Sequence, residues 1–313
     1  MRVGFIGLGR MGQGMARNLS ANGADLQVLD ANPAALQPFK EAGIAVASSL
    51  RTLVESTDVI FTSLPGPAQV EAVGLGPGGI LDFVREGQVW FDLSTSSRTL
   101  ALRLNERFAA KGAFMLDAPV SGGPAGAASG EMVIWAGGDR SAFDRCRDTL
   151  ELFSSEARHV GPIGAGCVVK LAHNVFGYTI QLAQIEVFSM ATKAGVDPLD
   201  LWEALRLGVV GKQSPLDLMV KQVLPGIYNQ PAFALALARK DVVLATEMAR
   251  ELDVPMRLAN MTLEEMTEAV SRGMGDMDSR SYLQLQLERA GVCIAVSPER
   301  IDAAVERQRH TGA

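Results

Sequence analysis

Three glycines between residues 7 and 12 have the spacing Gly-x-Gly-x-x-Gly, directly after an apolar run and before a helix-forming segment. The first glycine permits a tight turn, the second lets backbone amides approach a pyrophosphate, and the third lets the helix pack closely on the strand. The amides at the start of that helix then face the negative charge. This pattern predicts a dinucleotide-binding loop, although a glycine turn without a ligand has the same spacing. The loop comprises Gly7, Leu8, Gly9, Arg10, Met11 and Gly12.

Asp30 follows a second apolar run, Leu26 to Leu29, about twenty residues beyond the glycines, where an acidic residue meets the adenosine ribose in dinucleotide-binding folds. A carboxylate there accepts hydrogen bonds from the ribose hydroxyls and repels a 2′-phosphate. Because no cation follows it directly, the sequence favours NAD over NADP. Asp30 has a second interpretation as the cap of a helix beginning around Pro33. Arg10, within the glycine loop, is a cation that could reach a phosphate.

Lys170 and Asn174 lie one turn apart on the same face of a segment that is predicted to be helical from about Ala165 to Gly195. Gln181 continues that face. A lysine that is partly removed from water, beside a bound carboxylate and a carbinol, titrates close enough to neutral pH to exchange a proton with substrate. Lys170 is therefore a candidate general acid or base. A lysine whose stem packs on the helix while its ammonium stays in water fits the same spacing.

Ser121, Gly122 and Gly123 follow a predicted strand and present a hydroxyl followed by two glycine amides. Such a concavity suits a carboxylate, and a glycine-rich loop without a ligand is the alternative.

Two further turns follow buried apolar runs. Leu64 and Pro65 end a run that begins at Asp58, and Thr95 follows a run that begins at Val89. In parallel sheets ligands bind beyond the carboxyl ends of the strands, so these residues are candidate cofactor contacts. An ordinary turn at Leu64-Pro65 and a helix cap at Thr95 are the alternatives.

Short apolar runs alternate with helical segments through the first half of the chain, with further strands predicted at Met115 to Leu116 and Met132 to Ala136. The second half has helical spacing throughout. The predicted fold is α/β: an N-terminal doubly wound sheet of the Rossmann type and an all-helical C-terminal domain, joined by the long helix. The predicted divisions are 1–163 for cofactor binding, 164–296 for substrate and assembly, and 297–313 for a polar helical tail.

The composition narrows the class of protein. A net charge of −6 over 313 residues, without a basic run, argues against nucleic acid as a partner. Strand residues follow Met1 directly and no apolar stretch reaches membrane-spanning length, so we expect a cytoplasmic protein. The cysteines and histidines are scattered, which predicts reduced thiols and no metal site. These residues are Cys146, Cys167, Cys293, His159, His173 and His310.

Together these segments resemble the β-hydroxyacid dehydrogenase family over nearly the whole chain. The matching motifs are Gly7 to Gly12, Asp-Ala-Pro-Val-Ser-Gly-Gly at Asp117 to Gly123, Lys170 with Asn174, and Lys240-Asp241 preceded by Phe233. Carried over position by position, the resemblance implies carboxylate binding by Ser121, Gly122 and Gly123, acid/base catalysis by Lys170, substrate anchoring by Asn174, and cofactor contacts by Lys240 and Thr95.

The resemblance implies an NAD-dependent oxidoreductase that transfers a hydride to or from the C3 carbinol of a small 3-hydroxy carboxylic acid, in the manner of 3-hydroxyisobutyrate dehydrogenase or tartronate semialdehyde reductase. It also implies a homodimer or homotetramer assembled through the helical domain, and chemistry that needs no metal. The identity of the acid, the physiological direction and the choice between dimer and tetramer stay open.

Two departures from the family pattern concern the substrate. His173 stands where many members carry asparagine, which is closer to the 6-phosphogluconate dehydrogenases, and Lys212 lies in an unusual loop where it could meet a second anionic group or only solvent. The alternatives are therefore an enzyme acting on a phosphorylated or doubly anionic substrate and a non-catalytic dinucleotide-binding scaffold. The scaffold is disfavoured because Lys170, Asn174 and Lys240 are all present. An imine reductase is disfavoured by Lys170.

Overall fold

The computed structural model describes residues 1–311, apart from the side chains of Leu218, Gln222 and residues 308–311. The last two residues of the predicted tail, 312 and 313, lie outside the described residues. The chain divides into two compact units, Met1–Phe176 and the residues from Gly177 onward. The division falls inside the long helix, whereas the sequence places a boundary after residue 163, at the start of that helix.

The strands of the described residues belong to the first unit and form one nine-stranded sheet. They are β1 (Arg2–Ile6), β2 (Asp25–Leu29), β3 (Ala45–Val46), β4 (Val59–Thr62), β5 (Val89–Asp92), β6 (Phe114–Asp117), β7 (Val120–Ser121), β8 (Val133–Gly137) and β9 (Glu156–Gly161). Parallel pairing gives the order β3-β2-β1-β4-β5-β6, and β8 then pairs antiparallel with β6 and β7 and parallel with β9. This order is that of a doubly wound, Rossmann-type sheet, which confirms the predicted fold class.

Helices connect the strands of the first unit. They are α1 (Gly12–Ala21), α2 (Pro33–Glu41), α3 (Leu50–Ser56), α4 (Pro67–Leu75), α5 (Ile80–Phe83), α6 (Arg98–Ala109), α7 (Gly123–Ser129), α8 (Arg140–Arg145) and α9 (Arg147–Glu151). The long helix α10 (Ala165–Lys193) has 29 residues and begins where the sequence predicts.

The second unit is helical, as the sequence predicts. Its helices are α11 (Pro198–Leu207), α12 (Val209–Lys212), α13 (Pro215–Leu218), α14 (Leu235–Glu251), α15 (Arg257–Ala269), α16 (Leu283–Ala290) and α17 (Pro298–Thr311), with π-helical turns at Met219–Val223 and Val270–Met274. Glu186 of α10 is buried and accepts a hydrogen bond of 3.0 Å from the Leu258 amide, so a carboxylate satisfies the first turn of α15.

The sheet is buried on both faces, which explains its nearly continuous apolar strands. On one face Phe5, Phe61 and Phe91 lie on three adjacent strands, and the rings of Phe61 and Phe91 stack with centroids 5.4 Å apart. On the other face Trp90 and Phe108 pack with centroids 5.0 Å apart. Each fully buried aromatic side chain contributes roughly 2–3 kcal/mol of transfer free energy to folding.

The structure corrects two of the helix caps considered above. Asn32 caps α2 by accepting a hydrogen bond from the Ala34 amide, so Asp30 is not the cap of that helix. Ser97 caps α6 by accepting from the Leu100 amide, so Thr95 is not its cap. In both cases the residue directly before the helix has the extended backbone that capping requires.

Among the described residues no helix is both long and apolar enough to cross a membrane. The same residues contain no group of three His, Cys, Asp or Glu side chains arranged to hold a metal ion.

Asp92 is a carboxyl buried at the carboxyl end of β5. Its Oδ1 accepts hydrogen bonds of 2.9 Å from the Thr62 hydroxyl and 3.1 Å from the Ser94 amide. The Trp90 indole N–H in turn donates to the Thr62 hydroxyl at 2.9 Å. Burial outweighs these hydrogen bonds and raises the pKa of Asp92 to about 6.

We therefore expect Asp92→Asn to stabilise the protein at neutral pH. Between about pH 4 and 6 the folded state holds a proton on Asp92 that the unfolded state has lost, so wild-type stability falls across this window as pH rises. Asparagine does not titrate. The free energy of unfolding of the variant relative to wild type should therefore increase by about 3 kcal/mol from pH 4 to pH 7. Urea titrations at several pH values measure this difference.

The control for this prediction is Asp139→Asn. Hydrogen bonds from the Ser141 hydroxyl and the Ala142 amide lower the pKa of Asp139, so its ionised form is the stabilising one. This variant should lose stability relative to wild type as pH rises toward about 4, and the difference should stay constant at higher pH. An Asp92→Asn variant whose stability follows that of wild type at every pH would contradict the expectation.

Candidate cofactor and substrate site

The three glycines of the first loop have the separate roles that their spacing predicts. Gly7 has a φ of +93°, and a Cβ there would lie 2.4 Å from the Ser63 carbonyl oxygen. A Cβ at Gly12 would lie 1.9 Å from the Gly7 carbonyl oxygen, so only glycine lets α1 pack this closely on the loop. A Cβ at Gly9 would meet no described heavy atom within 4 Å. Gly9 is exposed, and its backbone is open to a ligand.

A cavity of about 630 Å³ lies beside this loop, at the carboxyl ends of β1, β2 and β4. Of the residues predicted to contact the cofactor, its lining includes Gly7, Gly9, Arg10, Met11, Asp30, Leu64 and Pro65. Leu8 is buried, Gly12 lies within α1, and Thr95 is exposed beyond β5 outside the lining. Such a cavity, at the point where the strand order reverses, is where doubly wound sheets bind ligands.

The cavity also includes residues that sequence reasoning missed. Leu50 begins α3 and Val73 lies in α4, while Ser63 and Gln69 lie on either side of the Leu64-Pro65 turn. Ser63 and Gln69 could have been found from their position just beyond β4. Leu50 and Val73 carry no local signal, because an apolar residue on a short helix is ordinarily a core residue.

Asp30 holds the glycine loop against the end of β2. Its Oδ2 accepts a hydrogen bond of 2.6 Å from the Leu8 amide, and its Oδ1 accepts one of 2.7 Å from the Asn32 amide. Each carboxylate oxygen has a further lone pair to offer. The residue therefore orders the loop and still presents acceptors at the cavity wall, the arrangement that a ribose diol requires. Arg10 is exposed at the same cavity.

The predicted carboxylate loop follows β7, which lies at the opposite edge of the sheet from β3. Ser121 ends β7 and is partly exposed, and Gly122 and Gly123 are exposed with φ values of +138° and +62°. A Cβ at Gly122 would lie 2.9 Å from the Met132 sulfur and 3.0 Å from the Glu131 carbonyl oxygen, so a side chain there would be crowded as well as strained by the backbone conformation.

Lys170 and Asn174 lie in the part of α10 that belongs to the first unit, and both are partly buried. Burial lowers the pKa of Lys170 below the usual range of a lysine. Cys167, one turn earlier, is buried, and burial raises the pKa of its thiol well above the usual value, which removes it as a nucleophile. Partial burial excludes a fully solvated lysine, and it fits both a proton-exchanging Lys170 and a lysine whose stem packs on the helix while its ammonium stays in water.

His173 is exposed but ordered by two contacts. Its Nδ1 lies 3.2 Å from Oδ1 of Asn174, and its ring lies over Trp135 of β8 with centroids 5.2 Å apart. When Nδ1 carries the proton it donates to Oδ1, which leaves the Asn174 amide N–H groups free to donate elsewhere.

The remaining predicted residues belong to the second unit. Lys240 lies in α14, is exposed and forms an ion pair of 3.1 Å with Asp241. Phe233 is exposed shortly before that helix, and Lys212 is exposed at the end of α12. The side chains of all three residues are therefore accessible within the second unit.

Two family models match consecutive parts of the chain, from residue 2 to residue 286. The model of the NAD binding domain of 6-phosphogluconate dehydrogenase matches residues 2–164, and the model of the NAD-binding domain of NADP-dependent 3-hydroxyisobutyrate dehydrogenase matches residues 164–286.

Relatives with named activities align over most of their lengths. The chain is 30% identical to 2-(hydroxymethyl)glutarate dehydrogenase of Eubacterium barkeri over 300 residues, covering 94% of this chain and 98% of the relative. It is 32% identical to mitochondrial 3-hydroxyisobutyrate dehydrogenase of Mus musculus, covering 90% and 86%. Among solved structures, an oxidoreductase from Mycobacterium avium 104 superposes with a TM-score of 0.73 at 29% identity, covering 88% of this chain and 99% of the other.

The glycine loop supports a paired test of folding and cofactor binding. In Gly9→Val the side chain enters open space, so we expect a melting temperature within about 2 °C of wild type but NADH binding weakened at least about tenfold. In Gly12→Val the side chain overlaps the Gly7 carbonyl, so the melting temperature itself should fall by several degrees or more. Thermal unfolding and NADH fluorescence titration separate the two effects. Normal NADH affinity in a folded Gly9→Val protein would contradict the assignment of this cavity as the dinucleotide site.

Proposed function

The chain belongs to the β-hydroxyacid dehydrogenase family, whose members are dinucleotide-dependent oxidoreductases that act on CH–OH groups, and we propose that it transfers a hydride between NAD and the C3 carbinol of a small 3-hydroxy carboxylic acid. The observation that carries this proposal is Lys170, a partly buried lysine whose pKa is lowered by burial, on a helix that begins at the edge of the sheet that binds the cofactor.

The residues present fit a dinucleotide, because Gly9 leaves an open cradle and Asp30 presents carboxylate oxygens at the cavity wall. Gly7 to Gly12 and Asp30 would hold it, with Leu64, Pro65, Thr95 and Lys240 as further proposed contacts. When bound, NAD supplies the hydride acceptor. We propose NAD rather than NADP because the Asp30 carboxylate would face a 2′-phosphate.

The proposed work of the protein's own residues is binding and proton transfer. Ser121 and the amides of Gly122 and Gly123 bind the substrate carboxylate, and Asn174 orients the carbinol. Burial lowers the pKa of Lys170, which favours the neutral amine that accepts the hydroxyl proton during oxidation and returns it in the reverse reaction. In that reverse direction its ammonium stabilises negative charge that develops on the oxygen.

The names of the two relatives support this choice of substrate class. 2-(Hydroxymethyl)glutarate and 3-hydroxyisobutyrate each carry a primary carbinol on the carbon next to a carboxylate, which is the arrangement proposed here. The first also carries a second carboxylate. His173, which lies beside Asn174 and contacts Trp135, supports a polar or anionic substituent on the substrate of this chain, whereas the exposure of Lys212 fits a surface lysine. A phosphorylated substrate is the second candidate for the same reason.

We propose a homodimer or homotetramer of this chain as the working form, in the cytoplasm. Along α10, large apolar side chains alternate three and four residues apart, and all of them are exposed in the single chain, with Tyr178 at 69%. This stripe of α10 comprises Val168, Leu171, Val175, Tyr178, Leu182 and Ile185. The spacing is that of helices which pair with one another, and it extends about 25 Å along the axis. A second copy of the same chain offers the same stripe.

We expect Lys170→Ala to lower turnover about a hundredfold or more while the Kd for NADH stays within about threefold of wild type, because only proton transfer is removed. The matched control is Lys193→Ala, which removes a lysine from the other end of the same helix and should leave turnover near normal. Steady-state kinetics with NAD and, separately, with NADP measure turnover and cofactor preference. Near-normal turnover of Lys170→Ala would remove Lys170 from the mechanism.

The substrates for this experiment are 3-hydroxyisobutyrate, 3-hydroxypropionate, glycerate, serine, 2-(hydroxymethyl)glutarate and a phosphorylated aldonate. Methyl esters should lose most of their efficiency, because the Ser121 hydroxyl and two amides would face no charged acceptor. Equal activity on acid and ester would contradict the carboxylate site. Activity confined to the phosphorylated compound would favour the second candidate, and NADH binding without turnover of any compound would favour a scaffold.

The assembly proposal predicts that Leu171→Glu with Tyr178→Glu gives monomers, because burying two carboxylates in a helix pair costs more than the pair contributes. Light scattering coupled to size exclusion measures the mass. The control is Gln184→Glu, which adds a carboxylate to an exposed position outside the stripe and should leave the mass unchanged. A wild-type protein that is already a monomer at micromolar concentration would contradict the proposal.

A further inference from the structure

Asp117 is a buried carboxylate at the point where the sheet changes from parallel to antiparallel pairing. It is the last residue of β6 and is 1% exposed. Its Cα pairs with that of Asp92 on the parallel neighbour β5 and with that of Gly137 on the antiparallel neighbour β8. Its backbone is therefore held in place by a strand on each side.

Both oxygens of Asp117 accept hydrogen bonds from the beginning of α10. The Gly164 amide donates to Oδ1 at 2.6 Å, and the Cys167 amide donates to Oδ2 at 2.7 Å. The first amides of a helix have no partner within the helix and need an acceptor from elsewhere. Gly164, which precedes the helix, has no side chain to offer. Asp117 caps α10 from a strand that lies 47 residues earlier in the chain.

The helix and the strand ends meet at backbone contact. A Cβ on Gly166 would lie 2.3 Å from the Trp135 carbonyl oxygen and 2.5 Å from that of Asp117. A Cβ on Gly137 would lie 2.6 Å from Oδ1 of Asp117. Glycine at both positions lets the carboxylate reach the helix, and no space remains for the helix to slide without breaking these hydrogen bonds.

Asp117 also begins the segment that leads to the carboxylate loop. The Ala118 amide donates to the Asp92 carbonyl at 2.8 Å, and the Trp135 amide donates to the Pro119 carbonyl at 3.1 Å. The chain then enters β7, which ends at Ser121. One residue thus joins the strand that leads to the carboxylate loop to the helix that carries Lys170.

We propose that Asp117 is a positioning residue, which fixes the position of α10 along its axis and its rotation about that axis. Lys170 is thereby placed to meet a substrate that is held by Ser121, Gly122 and Gly123. Lys170 follows Cys167 by three residues, so it lies about 4.5 Å further along the axis on the same side of the helix. A displacement of about 1 Å between reacting groups can lower a rate about a hundredfold. This inference rests on the proposed function, in which Lys170 exchanges the proton.

The first test is Asp117→Asn. The amide keeps the volume of the carboxyl but places an N–H group against one of the two helix amides, so one hydrogen bond is lost and the helix start moves. We expect kcat to fall at least about thirtyfold while the Kd for NADH stays within about threefold, because the glycine loop is untouched. Asp117→Ala should lower kcat further. The matched control, Asp139→Asn, removes the negative charge at the start of α8 and should lower the melting temperature slightly but leave kcat within about twofold of wild type.

A second variant leaves the carboxylate in place. Gly164 has a φ of +87°, so Gly164→Ala strains the peptide whose amide donates to Asp117, while its Cβ meets only the flexible Arg98 side chain. Its control is Gly195→Ala, just beyond the opposite end of the same helix, with a φ of +94° and open space around the Cβ. Both should lose similar stability, and only Gly164→Ala should lose turnover, by about tenfold or more. If either Asp117→Asn or Gly164→Ala folds and keeps kcat within about threefold of wild type, the proposal is wrong.

A readout that does not depend on turnover separates this inference from the proposed function. Reductively methylated lysines labelled with carbon-13 can be titrated by NMR, and a Lys170→Arg variant assigns the Lys170 signal. In Asp117→Asn, a loosened helix start exposes Lys170 more, so its pKa should rise toward the ordinary lysine value. Loss of a nearby negative charge alone would lower that pKa, and an unchanged or lowered value would overturn the positioning role. If the pKa of Lys170 rises in Asp117→Asn but the wild-type protein oxidises none of the candidate hydroxy acids, the positioning role is upheld and the proposed reaction is rejected.

Discussion

The structure depends on which groups accept hydrogen bonds from the unpaired amides at the beginning of each helix. Each helix start carries several N–H groups without an internal partner, together with partial positive charge. Four helices of the first unit receive an acceptor from the residue directly before them: Asn32, Ser49, Ser97 and Asp139. Helix α1 receives no side-chain acceptor, and its start lies beside the cavity. Helix α10 receives its acceptor from a distant strand. Helices α4, α5, α7 and α9 also lack a side-chain cap, so α1 is distinguished by the position of its open start beside the proposed cofactor cavity. The start of α10, the helix that carries Lys170, is distinguished by an acceptor from a distant strand.

Sequence reasoning found the features that are encoded locally. The glycine spacing, the acidic residue after β2 and the long apolar run of α10 each depend on a few neighbouring residues, and each lies where it was predicted. The fold class followed from the alternation of apolar runs. The short strands β3 and β7 were missed because two residues carry no periodicity, and β9 was missed because it is only partly apolar. Leu50 and Val73 were missed at the cavity because their contact with it depends on how two helices pack.

Asp117 is a residue that the sequence identified but whose hydrogen-bond partners it could not show. The sequence placed it at the start of a recognised motif, yet motif and spacing could not show that its two oxygens bind amides 47 and 50 residues later. The cap of α2 is a smaller example. Asp30 and Asn32 both suit a cap by residue type, and only the backbone angles decide between them. Residue identity narrows the role of a carboxyl group, whereas its hydrogen-bond partners settle it.

The pair of hydrogen bonds at Asp30 has a consequence for anyone who wishes to redesign the cofactor preference of this scaffold. The usual strategy removes the acidic residue and adds a cation nearby. Here the same carboxylate secures the Leu8 amide within the glycine loop and the Asn32 amide at the start of α2. Removing it would release the loop that is proposed to bind the phosphates common to both dinucleotides, so affinity for each would decline together. A redesign should retain an acceptor for the Leu8 amide and introduce positive charge from the other side of the cavity. Such a change would keep phosphate binding intact while altering discrimination between the two dinucleotides at the ribose.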